Sequence, residues 1–287
     1  MVVIALRRAV LTAMLVLSLI ALLNGGALAS SVILGGDYLQ VAVNDSGALI
    51  NDDASIGVNL DPGGGGAYTI ADFITPGSPF EFYSLGVGGV YIDSGLWDWN
   101  PFNGVTADTS WGTQLTADTS ARWDGLGIYQ NAWFDKEEST IHFVVTLTNT
   151  RRAGAGSFFD VAYARGADPD QDVYVGGDFP TNNSIGPGGV TAVGPATGWS
   201  MTLLDTWGGG VYSVDTWWDT DPYNLLVPHN DGNGDYAINC AWDLGTLAPG
   251  TSKSISFDYV FVAPGLPAFA LVGAAPVLGA LIRRRKR

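Results

Sequence analysis

The sequence predicts an all-β protein whose body is an antiparallel β-sandwich. Three observations favour this class. Apolar and polar residues alternate in several β-branched runs, Gly and Pro separate the runs, and no body segment carries a long apolar stripe at helical spacing. The 39 glycines and a charged fraction of only 14% suit short strands joined by tight turns. A large β-sandwich of the supersandwich type is one form that this fold could take here.

Alternation with a period of two residues predicts strands that bury one face. The pattern is present at three places: 39–43, 141–147 and 255–261. The run from Ser157 to Ala164 is partly apolar on both faces, which predicts a central strand. The peptide Thr-Ala-Asp-Thr-Ser occurs at 106–110 and again at 116–120, as two hairpin strands with similar polar edges would produce.

The length of the body bounds its domain organisation. We expect one sandwich domain over residues 30–262, with two smaller sandwiches as the alternative. Cys240 is the single cysteine, so an internal disulfide is excluded. Its apolar, alternating surroundings predict a buried thiol rather than a nucleophile.

Both ends of the chain carry features of an exported protein. Residues 1–29 contain Arg7 and Arg8, an apolar stretch, and Ala27-Leu28-Ala29 before Ser30, which is the pattern of a cleavable signal peptide with its signal helix. Residues 263–287 contain a Pro-rich break, an apolar run and five terminal basic residues. This order predicts a C-terminal membrane helix with the basic residues on the cytoplasmic side.

The C-terminal segment resembles the PEP-CTERM class of sorting tags, in the variant built on Val-Pro-Leu-Pro-Ala. Leu266, Pro267 and Ala268 match the latter half of that variant, whereas Pro-Glu-Pro is missing and Ala263-Pro264-Gly265 replaces the usual Val-Pro. The resemblance implies processing by an exosortase-type membrane enzyme, and hence a place in the bacterial cell envelope, on its surface or in the extracellular matrix. A plain C-terminal membrane anchor is the alternative.

Two segments of the body, 162–172 and 244–250, resemble elements of uncharacterised exported β-sandwich proteins. This resemblance implies a fold and no activity.

The body is strongly acidic once the ends are set aside. It holds all 28 Asp and Glu against six Lys and Arg, a net charge of −22. A body of this charge repels nucleic acid, so we expect no nucleic-acid partner. It is compatible with divalent cations and with neutral glycans.

Two acidic segments are candidate calcium sites. Asp168, Asp170 and Asp172 place carboxylates at alternate positions of a loop, which suits a hard cation such as Ca²⁺. An exposed acidic turn is the alternative reading. The segment 231–235 has the Asp-x-Asn-x-Asp start of a calcium loop, but Tyr236 and Trp242 stand where the turn Gly and the bidentate Glu belong, which favours a simple hairpin loop.

Ten tryptophans are spread through the body. Trp97, Trp99, Trp217 and Trp218 lie beside aspartates, and aromatic faces next to carboxylates suit sugar rings. These four are therefore the candidate glycan-binding residues, with an extracellular polysaccharide as a candidate ligand. Core filling is the alternative role for such large side chains.

Catalytic patterns are missing from the sequence. It contains no Gly-x-Ser-x-Gly, no His-Glu-x-x-His and no phosphate loop, and its two histidines lie far apart. We therefore expect a non-catalytic surface or matrix protein rather than an enzyme. A carbohydrate-binding module and a glycan-active enzyme are the alternatives.

Overall fold

The structure is a computed structural model that describes residues 31–68, 72–94 and 101–266. The expected signal helix at 1–29 lies outside these residues. So do Trp97, Trp99, Pro267, Ala268 and the expected C-terminal membrane helix. Within the described part of the chain, no helix combines the length and the apolar character needed to cross a membrane.

Sixteen strands form nearly all the regular structure of the described residues. They are, in chain order, β1 (Val32–Gly35), β2 (Leu39–Val43), β3 (Val58–Leu60), β4 (Glu81–Val87), β5 (Val90–Ser94), β6 (Val105–Asp108), β7 (Gln114–Trp123), β8 (Leu126–Asp135), β9 (Thr140–Asn149), β10 (Phe158–Ala167), β11 (Asn182–Gly186), β12 (Gly189–Val193), β13 (Ser200–Asp205), β14 (Val211–Asp215), β15 (Ala237–Leu247) and β16 (Ser252–Val262). A single helical turn, α1 (Pro222–Leu225), and one 3-10 turn at Val173–Val175 complete them.

The strands form three antiparallel sheets. An eight-stranded sheet has the order β11-β12-β13-β16-β9-β8-β7-β6, and a five-stranded sheet has the order β14-β15-β10-β4-β5. The third sheet, β1-β2-β3, is small. The expected all-β class and antiparallel sandwich are confirmed.

The two large sheets face each other across an aromatic core. Phe257 of β16 packs against Trp242 of β15, with ring centroids 5.2 Å apart, and stacks on Phe143 of the adjacent β9 at 4.8 Å. The alternation in β9 explains this packing, because its odd-numbered residues from 141 to 147 are buried while Val144 is exposed.

Three finer expectations from the sequence are also confirmed. Strand β10 lies between β15 and β4, so it is central and buried on both faces over most of its length. The first copy of the repeated pentapeptide begins in β6 and extends just past its end, and the second lies in β7, which pairs with β6 as a hairpin with Val105 opposite Ser120. Cys240 is a free, fully buried thiol in β15.

Candidate functional site

An acidic segment leaves the carboxyl end of β10. The backbone N–H of Asp168 donates to the Phe80 carbonyl at 3.0 Å, and that of Asp170 donates to the Phe73 carbonyl at 2.9 Å. These bonds fix the segment against residues 73–80. The side chains of Asp168 and Asp170 are only 2% and 3% exposed.

A third carboxylate reaches this place from the loop before β15. Thr181 and Gly234 exchange backbone hydrogen bonds of 2.9 and 3.0 Å, and the Asn183 N–H donates to Asn233 Oδ1 at 2.9 Å. The loop is thereby held beside the end of β10. One carboxylate oxygen each of Asp168, Asp170 and Asp235 lies within 4.8 Å of the other two. We call these three residues the carboxylate cluster.

Burial and mutual repulsion disfavour the charged forms of the cluster. Burial, followed by the charges of Asp168 and Asp235, raises the pKa of Asp170 to about 9. Burial and then the charge of Asp235 also raise the pKa of Asp168 well above its usual range. Both shifts favour the protonated forms of these two carboxyls over the charged forms.

Asp172, the third predicted ligand, has a different role in the structure. Its carboxylate accepts hydrogen bonds from the backbone N–H groups of Ala196 at 2.6 Å and Thr197 at 3.2 Å, and from the Thr197 hydroxyl. Gly194 permits this close approach, because a Cβ there would lie 2.2 Å from Asp172 Oδ1. The predicted trio is thus not brought together, and Asp235 stands in the place expected for Asp172.

The candidate tryptophans that the structure describes differ in their surroundings. Trp217 is 87% exposed, as a ligand-binding side chain can be. Trp218 is half-buried and stacks on Phe80 with ring centroids 5.4 Å apart, which is the core-filling role. Trp97 and Trp99 lie outside the described residues.

A more suitable place for a ligand is an open pocket of about 500 Å³. It lies where the ends of β4, β5, β7 and β10 meet the β9–β10 loop. Its apolar lining includes Trp123, Phe158 and Phe159, and Phe159 is 60% exposed. Its polar lining includes Asp124 and Arg151, which form an ion pair of 2.7 Å at the rim. We call it the aromatic pocket.

Sequence reasoning did not single out the aromatic pocket, although two clues were present. Trp123 precedes Asp124, the same Trp-Asp pairing that marked the other candidates. The adjacent Phe158 and Phe159 point to opposite faces of β10, so this end of the strand carries an aromatic ring on each face. No local pattern indicates that Arg151 meets them, because that contact depends on how the sheets pack.

The two histidines have separate surroundings, and His229 lies 3.0 Å from the Val227 carbonyl. His142 is buried in β9, packs on Trp133 at 4.3 Å, and lies 2.8 Å from Asp258 and 3.5 Å from Glu138. Burial lowers its pKa, but the hydrogen bond and the charge of Asp258 outweigh this and raise the pKa. His142 is therefore a packed side chain of the sandwich with two acidic neighbours.

Comparison with known proteins finds similar structures but no similar sequences. No protein-family model and no curated protein matches the sequence. Among solved structures, a bacterial glucoamylase complexed with acarbose is similar over 87% of this chain and 36% of its own, at 9% identity and a TM-score of 0.52. A protein described as a kojibiose phosphorylase, from the human microbiome, is similar over 82% of this chain and 30% of its own, at 12% identity and a TM-score of 0.47.

A third similar structure, described as an aldose 1-epimerase from Escherichia coli K12, covers 82% of this chain and 99% of its own, at 12% identity and a TM-score of 0.41. This chain spans about a third of the length of the glucoamylase and of the phosphorylase. At such identity the likeness shows the fold alone. The statement about the fold rests on the glucoamylase, whose TM-score is 0.52.

The glucoamylase corrects one expectation from the sequence. We expected a protein that is not an enzyme, but this solved structure, which shares the fold, is an enzyme. The missing sequence motifs do not exclude an enzyme, because the paired carboxylates of glycoside hydrolysis have no fixed spacing along a chain. The sandwich resembles the fold of part of a bacterial glucoamylase.

Proposed function

We propose that this chain is a carbohydrate-active protein whose sandwich domain binds a carbohydrate in the aromatic pocket. The observation that carries the proposal is the pocket itself, where Trp123 and the exposed Phe159 lie beside the charged rim of Asp124 and Arg151. The likeness to the glucoamylase supports a carbohydrate ligand over other small molecules.

The lining of the pocket matches the chemistry of a sugar. The C–H faces of a pyranose pack on aromatic rings, whereas its hydroxyl groups need hydrogen-bond partners at the edge. Arg151 provides donors and Asp124 provides acceptors, and Arg151 is further positioned over the Phe158 ring at 4.1 Å. The volume of about 500 Å³ lies within the range of small-molecule sites.

The test is binding of the purified protein to a glycan array that includes kojibiose and acarbose, with calorimetry on the glycans that bind. We expect Phe159→Ala to weaken binding at least tenfold, about 1.4 kcal/mol, because the ring is exposed and available to the ligand. Release of reducing sugar from the same glycans reports turnover.

The matched control is Trp111→Ala, which removes another exposed aromatic ring that does not line the pocket. Its binding should equal that of the wild type. Binding that survives Phe159→Ala but is lost in Trp111→Ala or Trp217→Ala would move the site away from the pocket. An array without any bound glycan would reject the carbohydrate ligand altogether.

We further propose that the chain is exported and sorted by its C-terminal tag, as its ends and its resemblance to PEP-CTERM tags imply. The last strand ends at Val262, and Leu266 packs against the core. Processing after this point would therefore spare every strand that the structure describes. Mass spectrometry of the protein from a bacterial envelope fraction should find an N-terminus at Ser30. A cytosolic protein that begins at Met1 would contradict export.

A further inference from the structure

The carboxylate cluster concentrates negative charge where the structure offers little to balance it. Asp168 and Asp170 are almost fully buried, and Asp235 lies at the exposed side of the cluster. Of the four ion pairs between described side chains, none involves a member of the cluster. The six basic residues of the acidic body cannot supply general compensation.

A second observation is independent of the charge. Asp168 Oδ1 and Asp170 Oδ1 are buried and accept no hydrogen bond from any residue that the structure describes. Buried carboxylate oxygens without partners cost free energy, because water has been removed and nothing replaces it. Each of these side chains is more than nine-tenths buried.

We propose that Asp168, Asp170 and Asp235 bind one calcium ion. A cation among the three carboxylates would coordinate the unpartnered oxygens and would also neutralise part of the negative charge. Protonation of one carboxyl does less, since a single O–H provides one hydrogen bond, whereas a cation contacts an oxygen of all three carboxylates.

The donor set selects the type of metal. All three side chains offer oxygen, and no Cys or His belongs to the cluster. Hard cations bind such sites, whereas zinc favours nitrogen and sulfur ligands. Calcium accepts six to eight oxygens in flexible geometry, so waters on the side of exposed Asp235 can complete the shell. Magnesium demands a stricter octahedron.

The ion would join two segments that are distant in the sequence. Asp168 and Asp170 extend from β10, a central strand, whereas Asp235 belongs to the loop that Thr181 and Asn183 hold in place. Bound calcium would act as a cross-link between them. It would therefore stabilise the native state by mass action.

The experiment uses the full chain, stripped with a chelator and melted in increasing CaCl₂. Above the Kd, we expect Tm to rise by roughly 3–5 °C for each tenfold increase in free Ca²⁺, the value expected for a domain of this size. Asp235→Asn should abolish this rise. It should also melt at a higher temperature than the stripped wild type, because it removes repulsion from the cluster.

The matched control is Asp231→Asn, in the same loop. Asp231 accepts a hydrogen bond from the Thr216 N–H at 2.9 Å and is not a member of the cluster, so the calcium response should persist. An equal rise of Tm in MgCl₂, or in NaCl of the same ionic strength, would mean screening and would overturn the site. A wild-type Tm that is unchanged by 10 mM Ca²⁺, or a full response in Asp235→Asn, would overturn it as well.

Discussion

Strand β10 carries buried charge at two points, and the two are built in opposite ways. Arg165 lies inside the sandwich, and each of its three guanidinium nitrogens donates a hydrogen bond. Asp168 and Asp170, just beyond the end of the same strand, have oxygens without partners. We call the first region the arginine cluster.

The arginine cluster draws its partners from several segments. Arg165 Nε donates to Glu81 Oε1 at 2.5 Å, Nη1 donates to Gln130 Oε1 at 3.0 Å, and Nη2 donates to the Gly47 carbonyl at 3.2 Å. The second oxygen of Glu81 accepts the Leu49 N–H at 2.6 Å. The guanidinium also lies 4.5 Å above the Phe143 ring. Burial would lower the pKa of Arg165, but Glu81 outweighs this and raises it.

The comparison separates two ways of tolerating a buried charge. In the arginine cluster the protein itself supplies the opposite charge, so the region is complete without a ligand. In the carboxylate cluster all the charges have one sign, so the balance must come from protons or from a cation. The first arrangement serves the fold, and the second has the properties of a binding site.

Breaking the arginine cluster should have the largest effect. Arg165→Met leaves the Glu81 carboxyl inside the sandwich without its basic partner, and we expect a loss of about 3–5 kcal/mol in the free energy of unfolding. Urea unfolding followed by circular dichroism measures this loss.

The control is the double variant Arg165→Met with Glu81→Gln. The amide keeps an acceptor for the Leu49 N–H but carries no charge, so the double variant should be more stable than Arg165→Met alone. If the single variant lost less than about 1 kcal/mol, the pair would behave like an exposed one, and the contrast between the two clusters would fail.

A smaller effect is expected at His142, a buried base between two acids. Its pKa is raised in the folded state, so its contribution is fully present below the unfolded value of about 6.5 and is lost as the pH rises through the folded pKa. His142→Asn should therefore cost about 1.5–3 kcal/mol at pH 5.5, where a charged hydrogen bond to Asp258 is removed, and less at pH 8.5.

Urea unfolding of wild type and His142→Asn at both pH values gives the difference. Other groups titrate in both proteins, so their contributions cancel in the comparison. Asp258→Asn should show the same trend, because it removes the acid that raises the pKa of His142 most. A difference that grows from pH 5.5 to pH 8.5 would reverse the sign and reject the ion pair.

The sequence predicts the strands well because their pattern is local. In β9 and β16, the alternation of apolar and polar residues predicts which face of the strand is buried. In β10, apolar residues on both faces predict a central position in the sheet. Asp168 and Asp170 were also identifiable, since they lie together in one segment.

The partners of these residues were not predictable in the same way. Asp235 meets Asp168 only because Thr181 pairs with Gly234, and Glu81 meets Arg165 only because β4 pairs with β10. Such contacts depend on which strands become neighbours and in which register, which no short pattern contains. Asp172 was misassigned for this reason: its hydrogen-bond donors, Ala196 and Thr197, come from a distant turn.

The buried thiol of Cys240 provides a natural probe for local opening of the sandwich. The thiol is inaccessible in β15, and burial raises its pKa well above the usual value, so alkylating reagents reach it only when this central strand is exposed. The rate of alkylation under native conditions therefore measures how often the middle of the sandwich opens. Because the chain has one cysteine, the measurement needs no engineered label.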